Sequence, residues 1–435
     1  MTITGPPLNA LSATEALALM REGRLGVEDL ARACLDRIAD REPSVRAWSW
    51  IQPDLVLGRA RALDAAQVRG PLHGVPIAVK DVFLTEDMPT QYNSPIYEGY
   101  HPRADAALVK ILRAAGALIF GKTETVAFGA TGRKAPTRNP HNPAHSPGGS
   151  SSGSAAAVAD LHTPLALGTQ TGGSIVRPAS YCGVFGMKPT WNLISNEGAK
   201  TFAASLDTVG WFARTAADLE LLYDVLDPEP APPAAALELS GARVAVCRTP
   251  MWPEAESATR EALMVAAERL RAAGASVEDL DLPSQFEALR QHHVTIMRAE
   301  GRAAFLAEFR ADHALLEQDL RDYVENLWGY DRGGLRGAYD AAADGRARFD
   351  VLAEPYDLVL APSAVGEAPL GLSSTGEMTF NGLWTLLHAP CINVPGFSGP
   401  LGLPVGVSVV APRFADRGAL AAAKALEALF GVARL

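Results

Sequence analysis

The sequence predicts an α/β fold in a single large domain, with a central mixed, largely parallel β-sheet covered by helices on both faces. Three observations lead there. Helical runs alternate with short apolar runs across 104–168, the pattern of parallel strands joined by helical crossovers. Apolar strands resume in the back half, at 243–247, 356–360 and 403–410, so that half is expected to complete the same sheet. The 435 residues are 48% hydrophobic and 20% charged, enough apolar material for one large core.

Taken in order, residues 10–40 read as two helices. Ser12 and Glu15 form a capping box ahead of an apolar periodic run, and Gly23 and Gly26 separate that run from the next. In PLHGVPIAVKDVFL (71–84) a turn at Gly74-Val75-Pro76 precedes a short buried strand, Ile77-Ala78-Val79, with Lys80 and Asp81 directly after it. An amphipathic helix over 104–115 leads into a strand at Ala117–Phe120. A long loop rich in Gly, Pro, Asn, His and Ser spans 129–149, and loops of such length in compact domains usually carry function. A helix at 152–160 and a strand at 164–168 follow.

Farther on, a helix over Thr215–Leu226 ends in DPEPAPPAAA, which cannot hold a helix and marks the best internal boundary. Helices are expected at 257–274 and 416–430, with a strand at Ser276–Leu280 between them. The layout expected for 1–435 is N-terminal helical cladding (1–60), a core carrying the motifs (70–226), and the remainder of the sheet (240–435) with a helical insert at about 285–350.

The net charge is −10 and basic residues are interspersed with acids, so no basic stripe marks a nucleic-acid partner. No apolar run reaches the length of a membrane span, which argues against a membrane partner. The first twenty residues lack the basic and apolar regions of a secretory signal. Cys34, Cys182, Cys247 and Cys391 are scattered without zinc-ligand spacing, which fits a reduced, cytoplasmic setting. Base rates for oligomers favour a homodimer.

The chemistry concentrates in SPGGSSSGSAAAVADLHTPLALGTQTGGSIVRPAS (146–180). Ser150 follows Gly148-Gly149 and Ser174 follows Gly172-Gly173. A serine among glycines has an exposed hydroxyl and free backbone N–H groups beside it, the two things a nucleophile with an oxyanion hole requires. Serine needs a base. None of the nine histidines sits in a nucleophile motif and there is no GxSxG elbow. Lysine serves as a base near neutral pH only where burial or a nearby cation lowers its pKa. Lys80, at the end of an apolar strand, either snorkels to solvent or is such a base.

The whole pattern resembles the amidase signature family. The resemblance rests on LHGVPIAVKD, SPGGSSSGSA, LGTQTGGSIVRPAS, GVFGMKPT and SLDTVGWFART, and more weakly on APCINVPGF and GLPVGVSVVAP. It implies the amidase signature fold and an amidohydrolase that needs neither metal nor organic cofactor and acts on a small-molecule amide. Ser174 would be the nucleophile, Ser150 the bridging serine next to a cis peptide bond, and Lys80 the buried base. The backbone N–H groups of Thr171, Gly172, Gly173 and Ser174 would form the oxyanion hole. Amidotransferase subunits that feed ammonia to a tRNA-dependent partner share these motifs and are the alternative, as is a non-catalytic binding protein on the same fold.

Two departures stand out. Gln170 occupies a place where family members often have Asp. Arg177 lies three residues after Ser174, one place later than is common, a variant similar to the malonamidase branch, whose arginine binds a substrate carboxylate. Arg177 therefore either clamps a substrate carboxylate or pairs with a core acid. Thr131 either offers a hydroxyl to substrate or bonds its own turn. Ser151, Ser152 and Ser154 are expected to bond neighbouring backbone or to cap the following helix. Asp207 and Thr208 are expected to tie a loop beneath the site, and Cys182 to fill space. Trp211, Trp328, Trp384 and Phe380 are candidates for a pocket wall.

Overall fold

A computed structural model describes residues 7–67, 69–229, 232 and 235–432. The first six residues and part of the Pro-Ala segment, at 230, 231, 233 and 234, lie outside the described residues, and with them the start of the N-terminal stretch read for a secretory signal and the middle of the expected boundary. The strands are β1 (Trp48–Trp50), β2 (Pro76–Lys80), β3 (Leu118–Thr123), β4 (Leu165–Gln170), β5 (Phe185–Lys188), β6 (Thr208–Ala213), β7 (Arg243–Val246), β8 (Ser276–Asp279), β9 (Leu358–Pro362), β10 (Cys391–Ser398) and β11 (Pro404–Val410). They form one sheet in the order β1-β3-β2-β4-β6-β5-β10-β11-β9-β7-β8.

The mixed α/β sheet is as expected, but it is not largely parallel: its parallel pairs are confined to the flanks, because at the centre β5 and β6, like β10 and β11, are joined without the helical crossover that parallel pairing needs. β3-β2-β4 and β9-β7-β8 run parallel, while the centre from β4 through β9 alternates in direction. The central strands are the ones whose local sequence is least strand-like. β5 is four residues long, and β10 contains Pro395-Gly396, a pair that ordinarily argues against a strand. The sheet absorbs that pair as an irregularity between Val394 and Phe397 in the β10–β11 register. Strands β7, β8, β9 and β11 of the back half join the same sheet, as the resumed apolar runs require.

The N-terminal helices do more than clad the surface. The capping box at Ser12 and Glu15 starts the helix Ala13–Arg21, and the helix Val27–Val45 follows. Leu30, Ala31 and Cys34 of the second helix sit in a core cluster with Ala155–Val158 and Phe212. The expected insert is the helix series Gln285–Ala304, Leu306–Ala311, Gln318–Glu325 and Arg332–Ala353. Among the described residues no helix is long and apolar enough to cross a membrane.

Two features of this frame position the site. β2 and β4 are parallel neighbours, so their carboxyl ends lie side by side. In α/β sheets the crevice outside the carboxyl ends of the strands is where chemistry collects. The loop that follows β4, residues 171–175, then turns directly into the buried helix Val176–Cys182.

Candidate active site

Lys80 ends β2 with its side chain fully buried. Its Nζ lies 2.8 Å from Ser150 Oγ and 2.7 Å from Thr169 Oγ1. The snorkelling alternative is thereby excluded. Among the described residues no carboxylate pairs with this amine, and burial pulls its pKa down to about 7, with the charge of Asp207 working in the opposite direction. The loss of hydration disfavours the ammonium form, so a large fraction of the amine is neutral near neutral pH.

Ser150 is buried and follows the cis peptide bond Gly149–Ser150. The neighbouring serines fasten its loop. Ser152 Oγ donates to Gly148 O at 2.8 Å, Ser154 Oγ to Leu167 O at 2.8 Å, and Ser151 Oγ to Thr169 O at 3.2 Å. All three bond backbone, and none caps the helix Ser152–Ala159, which has no side-chain cap.

Ser174 is partly exposed amid buried neighbours, as an attacking hydroxyl must be to meet a substrate. Among the described residues no hydrogen bond joins Ser174 Oγ to Ser150 Oγ. Links of this kind commonly tighten only once substrate is bound.

The amides of Thr171, Gly172, Gly173 and Ser174 donate no hydrogen bond among the described residues, whereas the next two are occupied. Gln170 Oε1 accepts from Ile175 N at 2.9 Å and from Val176 N at 3.1 Å. Four consecutive unpaired N–H groups ending at Ser174 make a donor set that could receive a developing oxyanion. The carbonyls are held. Thr171 O accepts from His293 Nε2 at 2.8 Å, Gly172 O from Thr385 Oγ1 at 2.8 Å, and Gly173 O from Arg177 N at 3.0 Å.

Asp207 ties the loop from below, as expected. Thr171 Oγ1 donates to its Oδ1 at 2.5 Å, and its Oδ2 accepts from Phe202 N and Ala203 N at 2.7 and 3.0 Å. Burial raises this carboxyl to about 6. A cavity of about 210 Å³ opens beside Thr169 and Thr171, with Gly129, Asn196, Lys200 and Asp207 also on its walls.

Arg177 is buried and pairs with no acid among the described residues, which removes the core-acid alternative. Its Nη2 donates to Gly149 O at 2.6 Å and to Thr375 Oγ1 at 3.3 Å, while its Nε has no partner. Burial lowers its pKa, with Tyr181 and Glu377 offsetting part of the effect.

Thr131 goes elsewhere. Its hydroxyl bonds Asp319 at 3.2 Å, neither its own turn nor a described cavity wall, because the long loop is drawn onto the helix Gln318–Glu325. Trp211, Trp384 and Phe380 are core residues, and with Trp328 they line no described cavity. Cys182 is fully buried and burial pushes its thiol up, which leaves it inert. Asp81 pairs with buried Lys122 at 2.9 Å.

The sequence did not point to Thr169, His293 or Thr385. Only the pairing of β2 with β4 puts Thr169 beside Lys80, so no local signal marks it. His293 and Thr385 reach the loop from more than a hundred residues away, and no local pattern marks them.

An amidase family model matches residues 29–420. A glutamyl-tRNA(Gln) amidotransferase subunit of Chloroflexus aurantiacus is 34% identical, over 94% of each chain. A solved amidase structure superposes with a TM-score of 0.87 at 28% identity, covering 96% of this chain and 99% of its own. The peptide amidase of Stenotrophomonas maltophilia superposes with a TM-score of 0.81 at 30% identity, covering 96% of each chain. With the motifs in family order and the match spanning nearly the whole length, the chain belongs to the amidase signature family of amide-hydrolysing enzymes.

Proposed function

We propose that the protein hydrolyses a small carboxamide through an acyl-enzyme on Ser174. The observation that carries this reading is the buried Lys80 Nζ at 2.8 Å from Ser150 Oγ. A neutral amine has two N–H groups and one lone pair. Thr169 Oγ1 accepts one N–H, and the lone pair is left to take a proton from Ser150. Ser150 in turn takes the proton of Ser174, whose oxygen attacks the amide carbon. The four free amides from Thr171 to Ser174 receive the charge that develops on the carbonyl oxygen. The C–N bond breaks as the relay returns its proton to the leaving nitrogen, and ammonia or an amine departs. Water then adds to the ester by the same relay, releasing the carboxylic acid and restoring Ser174.

The substrate proposed is an amide bearing a carboxylate. Arg177 supports this choice: a buried guanidinium with no ion-pair partner among the described residues and an unpartnered Nε is expensive to maintain without a counter-charge. It also holds the carbonyl of the residue preceding Ser150, which places it beside the relay. The test is ammonia release from a panel of small amides with and without a terminal carboxylate. Turnover of the carboxylate-bearing members at about tenfold or higher kcat/KM is the expected result, on the scale of a charged hydrogen bond, and equal rates across the panel would refute the carboxylate preference.

A second reading is favoured by the relatives, several of which are named as subunits of glutamyl-tRNA(Gln) amidotransferases. In that reading Ser174 releases ammonia from an amide for use by a partner protein. Glutamine as the preferred amide, together with activity that rises when a partner protein is added, would decide for it. Activity of the isolated chain on other amides decides for the first reading.

A further inference from the structure

We infer that His293 and Thr385 are positioning residues that aim the oxyanion hole, each by holding one peptide unit of the nucleophile loop from behind. The inference rests on Ser174 being the nucleophile.

A trans peptide is planar, with its C=O and N–H antiparallel. Fixing the carbonyl therefore fixes the direction of the amide on the other side. The Thr171–Gly172 peptide presents its carbonyl to His293 Nε2 at 2.8 Å, so the Gly172 N–H points the opposite way. The Gly172–Gly173 peptide presents its carbonyl to Thr385 Oγ1 at 2.8 Å, so the Gly173 N–H also points away from the core. Both amides lack any other acceptor among the described residues. Glycine peptides flip readily because no Cβ resists rotation. Two successive glycines at the reacting centre therefore need external anchors.

Both anchors are suited to the task. His293 is 1% exposed and Thr385 fully buried, so neither bond competes with water. A carbonyl oxygen only accepts, so His293 carries its proton on Nε2. Burial lowers its pKa, which keeps the ring neutral. Thr385 Oγ1 accepts from Gln170 Nε2 at 3.0 Å, which commits the hydroxyl proton to backbone carbonyls, Gly172 O at 2.8 Å and Asn381 O at 3.3 Å. Hydrogen bonds in such a chain polarise one another, so each anchored carbonyl makes its amide a better donor. The two anchors come from separate helices, Gln285–Ala304 and Gly382–Leu386. The helical insert thus reaches the reacting centre through His293.

The test compares variants that keep the donor with variants that remove it, and it needs no knowledge of the substrate. Ser174 is phosphonylated with a fluorophosphonate, the modified residue is located by peptide mass, and the second-order rate is measured across pH. His293→Leu and Thr385→Val are each expected to slow labelling by about tenfold or more, on the scale of a weakened oxyanion donor. His293→Gln and Thr385→Ser, which can still donate, are expected to stay within about threefold of the parent. The pH midpoint should stay the same in all four, because the Lys80 relay is untouched. Should His293→Leu fail to fold, the Thr385 pair carries the test alone. Donor-free variants that fold and label at the parental rate overturn the inference, as does equal slowing of the donor-keeping and donor-free members of a pair. If the parent is labelled at a residue other than Ser174, the nucleophile assignment fails first and the inference falls with it.

Discussion

Lys80 Nζ and Ser150 Oγ lie 2.8 Å apart in a place where the lysine side chain has no exposed surface. Burial brings the amine down to about 7. Only the neutral form accepts a proton, so kcat/KM for an amide should rise with pH through an ionisation near 7 and level off above it. Asp207 works the other way by favouring the ammonium form. Asp207→Asn should therefore move the midpoint to lower pH. A pH–rate profile of the parent and this variant checks both statements, and a profile that is flat from about pH 5.5 to about pH 9 contradicts the lysine base.

The relay also predicts unequal losses along its length. Ser174→Ala removes the proposed nucleophile and should abolish both turnover and phosphonylation. Lys80→Met removes the base but leaves the nucleophile in place. It should cost about 10²–10⁴ in kcat, the usual worth of positioned proton transfer, with the fold retained by circular dichroism. Thr169→Val leaves the base present but strips one acceptor from Nζ, so a smaller loss is expected together with a shift of the pH midpoint.

The loop contact that Arg177 makes and the substrate contact proposed for it can be separated by experiment. Through Nη2 it holds Gly149 O, while its Nε is buried and has no partner; a substrate carboxylate is the contact proposed for it. Arg177→Met should lower activity toward all amides through the first contact. Through the second it should cut the preference for carboxylate-bearing amides by about ten- to a hundredfold, the worth of a charged hydrogen bond. The ratio of kcat/KM values between matched amides is the measurement. An unchanged ratio would mean that the guanidinium serves the loop alone.

Much of this site was legible in the sequence, and what escaped follows a physical rule. Lys80, Ser150 and Ser174 lie in short segments whose composition is unusual in itself: a lysine closing an apolar strand, and serines set among glycines. The free amides follow from the same glycines. Thr169 needed the pairing of β2 with β4, which no single strand reveals. His293 and Thr385 needed tertiary contacts across 122 and 213 residues. In the fold, β2, β3, β4, β7 and β9 were readable from their short apolar runs, whereas the edge strand β1 (Trp48–Trp50) was not read, being only three residues long. The central antiparallel strands β5, β6 and β10 were not, since each carries glycine, and β10 proline as well, which local reading takes as turn chemistry. Thr131 was misplaced because a hydroxyl in a long loop gives no hint of the helix that will capture it.

Gln170 replaces the acid common at its position, and the structure gives the replacement a chemical reason. Its carboxamide accepts from Ile175 N and Val176 N and donates to Thr385 Oγ1. A carboxylate could do only the first. Facing Gln170→Glu, the Thr385 hydroxyl would turn its proton to the acid and abandon Gly172 O. The variant should lose about 1–3 kcal/mol of stability from a buried group left badly paired, and should also lose turnover. Combining it with Thr385→Val should add little further loss, because the two act through one bond, and a double-mutant cycle on kcat measures the coupling. Fully additive losses would separate the two residues.

The two glycines of the oxyanion loop should tolerate a methyl group differently. A Cβ at Gly172 would press on the Met378 sulfur, the far part of a flexible side chain. A Cβ at Gly173 would run into the Asn381 carboxamide, with Cγ 2.9 Å and Cβ 3.0 Å away. Asn381 cannot swing aside freely, since its Nδ2 donates to Ser363 O at 2.9 Å and it begins the helix that carries Thr385. Gly173→Ala should therefore displace the loop and lower kcat by about a hundredfold or more, as the loss of an oxyanion donor does. Gly172→Ala should keep a measurable rate, because the methionine can repack at small expense. Steady-state kinetics and melting temperatures of the two variants give the comparison. If Gly172→Ala is the worse of the two, the wall behind Gly173 is softer than the hydrogen bonding of Asn381 implies.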